Sequence, residues 1–339
     1  MNITAQGPCR VDLAGGTLDI WPLYLFHANA VTVNFAVDRY TRCSITTHDS
    51  PEIVLRSRDL KAEETFASIE DLKTRRKYKL PLLAWLVEFF AGKHGIEQGF
   101  VMETDSEAPA GAGISGSSSL IISIASALNK LTGAGYNIEK IREVAQNNEA
   151  RIIRVPTGCQ DYYPAMYGGV SAIEMDCAGI RRLPIPVDLE DFNERIVLAY
   201  TGEPRNSGIN NWEVNKAHID GDKTVHKNFE RISAIANAMR GALEKSDWAE
   251  VARLLREEWA HRKKNAPGIT TPLIDRLVEA ARKRGARGAK VCGAGGGGCV
   301  FFLVERGARE RVWQAIEAEG ATVLPVKVAP RGVQVKTRN

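Results

Sequence analysis

The chain has 339 residues, with 45 Lys and Arg against 41 Asp and Glu, a formal net charge of +4, and 44% hydrophobic and 25% charged residues. That length holds two lobes of ordinary size or one large α/β unit; with charge so nearly balanced nothing demands a polyanion, so no nucleic-acid partner is expected and the basic runs Lys73 to Lys79 and Arg282 to Lys290 read as solvated faces. Six cysteines (9, 43, 159, 177, 292 and 299) lack C-x-x-C spacing, there is no cleavable signal pattern, and no apolar run nears the roughly 18 residues of a membrane helix, which together predict a reduced cytoplasmic protein, monomer or homodimer, without a membrane partner.

Ile3 to Leu13 reads as a strand ending in Ala14-Gly15-Gly16. Arg10 and Asp12 are unusual charges at its end, and Asp19 follows the next loop: salt bridge and turn cap, or polar contacts to a ligand. Val31 to Asp38 and Thr41 to Thr47 are rich in β-branched residues, as strands are. Leu80 to Lys93 is a strongly apolar helix.

A strand from Gly99 to Asp105 leads to Pro109-Ala-Gly111-Ala112-Gly113-Ile114-Ser115-Gly116-Ser117-Ser118-Ser119 and a helix over Leu120 to Leu131. A helix start leaves backbone N–H groups unpaired and partly positive, and glycines admit close approach, so this loop is suited to an anion. Three readings stand at this point: a flexible connection, a dinucleotide site through Gly111-x-Gly113-x-x-Gly116, or a nucleotide-phosphate cradle. Four residues separate strand from loop, which suits the dinucleotide pattern poorly, and the absence of Lys before the serines excludes the ordinary P-loop.

Asn137 to Arg154 forms the next helix, with Glu149 on its inward stripe, paired with Arg142, Arg151 or Arg154 or else a metal ligand. Pro156-Thr-Gly-Cys-Gln-Asp161 breaks that helix and sets Asp161 near a new helix start, as a cap or as a carboxylate turned into a cleft. Strands follow at Gly168 to Met175 and Ile180 to Val187. The pattern then turns helix-rich, which divides the chain into lobes 1–190 and 191–339. The second lobe opens with strand Arg195 to Tyr200, a polar loop bearing Arg205, and helices near Asn206–Ile219, Lys223–Glu244, Trp248–Lys263 and Pro272–Arg284. A second glycine loop, Gly293-Ala-Gly295-Gly296-Gly-Gly298, joins two strands, and a helix (Glu305 to Glu319) with strands Thr322–Val328 and Gly332–Lys336 completes the pattern.

Taken together, Pro8-Cys-Arg10-Val-Asp-Leu-Ala-Gly15-Gly16, Pro109-x-Gly-x-Gly113-Ile-Ser-Gly-Ser-Ser and Gly293-Ala-Gly-Gly-Gly-Gly298 resemble, in order and spacing, the three motifs of the GHMP kinases. Gly158-Cys-Gln-Asp161-Tyr and Tyr200-Thr-Gly-x-x-Arg205-x-Ser207 look like the bacterial heptose-phosphate kinases, with fucokinases as neighbours. The resemblance implies an α/β (α+β) fold of two lobes, one like ribosomal protein S5 domain 2 and one ferredoxin-like, and an ATP- and Mg2+-dependent kinase acting on a sugar or sugar-phosphate hydroxyl, the anomeric one of a heptose phosphate being favoured. Carried over, Pro109 to Ser118 cradle the ATP phosphates, Ser117 and Glu149 bind Mg2+, Asp161 is the catalytic acid-base group with Arg10 beside it, and Asp19, Gly15, Gly16, Arg205, Gly295 and Gly296 shape the acceptor site. Gly113-Ile-Ser-Gly-Ser-Ser118 is one residue longer than the usual Gly-Leu-Gly-Ser-Ser, which leaves Ser117 and Ser118 both eligible for the metal. The rival readings are another acceptor, such as galactose, fucose or a mevalonate-type alcohol, and a non-catalytic sugar or nucleotide sensor on the same fold.

Overall fold

The computed structural model describes residues 1–203 and 207–338, with backbone alone for 207–210. The first sheet is laid down by β1 (Asn2–Ala14), β2 (Ala30–His48), the hairpin β3 (Ile53–Ser57) and β4 (Ala62–Phe66), then, after helices α1 (Ile69–Thr74) and α2 (Pro81–His94), by β5 (Gly99–Ser106). Val31 to Asp38 and Thr41 to Thr47, expected as two strands, are one. The register against β1 jumps from Pro8↔Tyr40 to Cys9↔Val37, so a bulge takes up Asp38 and Arg39 and bends β2 without ending it.

Helices α3 (Gly116–Thr132), α4 (Ile138–Ile153) and the short α5 (Tyr162–Tyr167) follow, and β6 (Val170–Asp176) and β7 (Gly179–Pro184) extend the sheet from β2. The apolar side chains of α3 from Leu120 to Leu128 are all buried, so it is a central helix rather than a surface amphipath, and each Ile or Leu there contributes about 1.5–3 kcal/mol of transfer free energy. It packs across β1 and β2, and its N-terminus is thereby aimed along the end of β1 where Arg10 and Asp12 lie.

After α6 (Leu189–Asn193) the chain enters a second, four-stranded antiparallel sheet. Its strands are β8 (Ile196–Tyr200), β9 (Ala286–Val291), β10 (Cys299–Val304) and β11 (Thr322–Leu324), in the order β11-β8-β10-β9. Helices α7 (Ser207–Ile219), α8 (Lys223–Glu244), α9 (Trp248–Arg262) and α10 (Pro272–Lys283) precede β9, and α11 (Arg309–Ala318) precedes β11.

Cys9, Val11 and Leu13 of β1 share one apolar core with Leu198, Met239, Leu255 and Phe301, so the far half of β1 is covered on both faces. Because strand residues alternate, Arg10 and Asp12 point the other way, together.

The two sheets follow one another along the chain about residue 190, except for the last residues. Past Pro325 the chain crosses back: Val328 bridges Val37, and β12 (Gln334–Arg338) pairs antiparallel with β1, Asn2 opposite Arg338. An exposed five-residue polar strand carries no pattern that says which sheet it joins.

Candidate active site

The loop between β5 and α3 is held open by left-handed backbone at Gly111 (φ +66) and Gly113 (φ +77). Ser115, the residue before α3, is left-handed as well (φ 58). For a residue with a Cβ this conformation costs about 1–2 kcal/mol. Its Oγ is buried with no hydrogen-bond partner. The first N–H groups of α3 have no acceptor one turn earlier, so a strained hinge, an orphaned hydroxyl and a positive helix end meet at one place.

Two neighbours fix the loop. From β1, Arg10 donates its backbone N–H to Ile114 O (3.0 Å) and its Nη1 to Gly113 O (2.7 Å). From β10, Cys299 N donates to Ala112 O at 2.7 Å. A Cβ on Gly298 (φ +75) would stand 2.6 Å from that same oxygen, so the second glycine loop exists to let β10 dock under the first.

Glu149, near the end of α4, lies behind the start of α3. Its carboxylate accepts hydrogen bonds from Ser117 Oγ (2.7 Å), Ser118 Oγ (2.9 Å) and Tyr162 OH (2.6 Å). None of the three arginines expected as its partner reaches it: Arg142 pairs with Glu139, Arg151 lies by Glu88, and Arg154 forms no ion pair among the described residues. Burial pushes the Glu149 carboxyl up, against the pull of its three hydroxyl donors. Two hydroxyl oxygens and a carboxylate are a hard-oxygen set fitted to Mg2+.

Asp161 occupies the position before α5 but caps nothing. Arg10 Nε (2.9 Å) and Nη2 (2.6 Å) both donate to its Oδ1. Behind that pair runs a chain of buried charge. Arg10 Nη1 is 3.7 Å from Asp12 Oδ1; Asp12 also accepts from Gly293 N (2.9 Å) and pairs with Lys290. Lys290 is 3.9 Å from Glu258, and Glu258 holds Arg262, whose Nη2 donates to Gly16 O at 2.9 Å. All five residues behind Asp161 are at most 3% exposed. Burial works against the charge of Arg10, but Asp161 and Asp12 outweigh it and hold its pKa above the ordinary value. Burial likewise opposes ionisation of Asp12, yet Lys290 and Arg10 keep its carboxyl well below the usual range. Lys290 ends the basic run expected to be solvated; it is fully buried, because it crosses from β9 to meet β1.

Asp19 is buried beneath the segment that leads to Asp161. It accepts from Gln160 N (2.9 Å) and Nε2 (3.3 Å), and a Cβ on Gly158 would fall 2.0 Å from its carboxylate. Burial, reinforced by the charge of Asp161 and opposed by the Gln160 N–H, pushes the Asp19 carboxyl up to about 7.

Arg10, Asp19, Glu149, Asp161, Gly16 and the loop from Pro109 to Ser118 line or floor one cleft of roughly 400 Å3, with Leu60, Leu82, Ile153 and Val155 forming an apolar stretch of its wall. Gly15 (φ +86) is packed under it against Val31 and Thr32. From the second glycine loop it is Gly293 and Ala294 that reach the cleft. Gly295 and Gly296, expected there, instead turn against Ile269: Gly296 N donates to Ile269 O (2.9 Å), and a Cβ on Gly295 would be 2.6 Å from that oxygen. Arg205 lies outside the described residues. Lys290, Glu258, Arg262 and Tyr162 escaped the reading of the sequence. A Lys opening the run Val-Cys-Gly and a Glu258–Arg262 pair spaced i,i+4 beside Trp259 were the available signals.

Residues 81–169 match the GHMP kinases N terminal domain, and residues 239–322 match the GHMP kinases C terminal family. The chain is 25% identical over 340 residues to the D-glycero-alpha-D-manno-heptose 7-phosphate kinase of Campylobacter jejuni, covering 98% of each chain. It is 27% identical over 248 residues to the mevalonate kinase of Pyrococcus furiosus, covering 70% of this chain and 69% of that one. Among solved structures, a D-glycero-D-manno-heptose 1-phosphate kinase from Bacteroides thetaiotaomicron superposes with a TM-score of 0.82 at 22% identity over 99% of both chains. The galactokinase of Lactococcus lactis complexed with galactose does so with a TM-score of 0.79 at 21% identity, over 98% of this chain and 95% of that one.

Proposed function

The chain belongs to the GHMP kinases, a family of ATP-dependent phosphotransferases, and from that premise we propose that this sugar kinase moves the γ-phosphoryl group of ATP to the anomeric hydroxyl of a heptose phosphate. The observation that carries the reading is the placement of Arg10–Asp161 and of Ser117, Ser118 and Glu149 around a single cleft, at the open N-terminus of α3.

Each part has a task in that reaction. The α3 amides and the loop from Pro109 to Ser118 receive the phosphates, and the apolar wall of Leu60, Leu82, Ile153 and Val155 takes the flat base. Ser117, Ser118 and Glu149 would hold Mg2+, which would supply positive charge against the phosphate oxygens. Both nitrogens of Arg10 engage Oδ1 of Asp161, which leaves Oδ2 to orient the acceptor hydroxyl and take its proton as the oxygen bonds to phosphorus and the bond to ADP breaks. Arg10 is also tied to Gly113 O, so one guanidinium sets the distance between the phosphate loop and the base. Asp19 and Gly16 face the sugar.

The heptose phosphate is favoured over other acceptors because the Campylobacter jejuni kinase aligns end to end with this chain. The test is ADP formation with heptose 7-phosphate, unphosphorylated heptose, fucose, galactose and mevalonate. The highest kcat/KM is expected for the heptose phosphate; a higher value for an unphosphorylated sugar or mevalonate overturns the acceptor. ATP binding without turnover on any of them overturns the transfer reaction.

A further inference from the structure

Away from the cleft, three histidines converge. His27 follows the one-turn 3-10 helix Leu23–Phe26, His218 lies in the last turn of α7, and His226 in the first turn of α8. One ring nitrogen from each lies within 4.8 Å of the others, and the Nε2 atoms of His27 and His218 are 2.7 Å apart. His27 and His218 are buried; His226 is partly exposed.

The pairing leaves a defect. If Nε2 of His218 accepts from His27, its Nδ1 must carry a proton; if it donates, its Nδ1 is a bare lone pair. What argues for an ion is the convergence of the three rings, because Nδ1 is buried without a partner in either case and stays so with a metal on Nε2. Nor does the surrounding shell offer one: Phe26 and Phe229 pack against the His218 ring at 5.4 and 5.7 Å between centroids. The three rings also pack on one another, His218 stacked on His226 at 4.1 Å and edge-on to His27 at 4.9 Å between centroids, and no carboxylate joins the cluster.

We propose that His27, His218 and His226 form a structural site for one borderline divalent transition ion of the Zn2+ class. Three imidazole nitrogens select Zn2+, Co2+, Ni2+ or Cu2+ over Mg2+, so the site is chemically separate from the hard-oxygen set at Glu149. Nitrogens bound tetrahedrally to zinc stand about 3.4 Å apart, so the ion spreads the His27–His218 contact slightly and draws in the third ring, with water at the partly exposed side. Bound there, it clamps the segment after Asp19 to α7, whose Asn211 meets Thr17 at the cleft (3.3 Å).

The test uses the full chain stripped with chelator and titrated with Zn2+ against a chromophoric competitor, in excess Mg2+ so that oxygen sites are filled. One equivalent per chain is expected, with binding weakened at least ~100-fold in His226→Gln, the most exposed of the three. Equal affinity in wild type and His226→Gln overturns the site, as does absence of binding. Should His226→Gln misfold, Co2+ added to the wild type decides: visible d–d bands without sulfur charge transfer support the three histidines, and a thiolate band, pointing to the exposed Cys177, overturns them.

Discussion

Arg10 binds Asp161 through two nitrogens that share one carboxylate oxygen, at 2.9 and 2.6 Å, while its third nitrogen holds Gly113 O at 2.7 Å. The two contacts predict different kinetics for the two residues. Asp161→Asn should lower kcat by about 10²–10⁴ with ATP affinity preserved. Arg10→Gln frees the phosphate loop as well, so KM for ATP should rise along with the fall in kcat. Steady-state kinetics and direct nucleotide binding separate them; retained kcat in Asp161→Asn refutes the assignment.

Glu149→Gln keeps the shape of the hydroxyl-lined pocket and removes its charge. The Mg2+ concentration for half-maximal rate should rise about 10- to 100-fold. In chelator, ATP should bind the variant no more weakly than wild type, since a carboxylate near phosphates repels them. A variant with weaker metal-free ATP binding and unchanged Mg2+ dependence points to a packing role instead.

Asp19 makes stability depend on pH. Its carboxyl sits at about 7 in the fold against 3.8 ordinarily, so between those values the folded chain keeps a proton that the unfolded chain has released. Its stabilising contribution is complete below the ordinary value and lost as the pH rises through about 7, amounting to at most about 4 kcal/mol. Asp19→Asn, which still offers an acceptor to Gln160 N, should flatten the decline. Urea midpoints of both proteins across that range measure it, and parallel curves would show that Asp19 is not the group responsible.

Lys290→Met removes the cation between Asp12 and Glu258, both essentially without solvent contact. A buried carboxylate stripped of its partner typically costs about 3–5 kcal/mol, and Arg10 and Arg262 relieve only part of it here. Urea denaturation should show a loss of that order; one below about 1 kcal/mol would mean that water replaces the ammonium.

What the chain discloses on reading divides along physical lines. The two glycine loops are legible because glycine and proline punctuate, and because an apolar helix follows one and an apolar strand the other. Periodicity places Glu149 inward, yet its partners are hydroxyls of two other helices, and no helical spacing announces Ser117 or Tyr162. The charge chain is still less visible. Asp12 and Lys290 stand 278 positions apart, and a lysine in a basic run looks solvated until its strand is seen facing β1. Gly295 and Gly296, read from their motif as substrate contacts, lie against Ile269, a close approach that no spacing announces.

The return of β12 to β1 bears on how this protein can be dissected. The first sheet takes strands from both ends of the chain, so the second lobe is an excursion anchored at two crossings, before β8 and after Pro325. A fragment cut near residue 190 would strip β12 and leave the backbone of Asn2 to Gln6 as a bare edge ready to pair with a neighbour's strand. The lobes are distinct as sheets but not as cloning units: even with residues 326–338 spliced back, a first-lobe fragment would bare Cys9, Val11 and Leu13, whose core is completed by Leu198, Met239, Leu255 and Phe301.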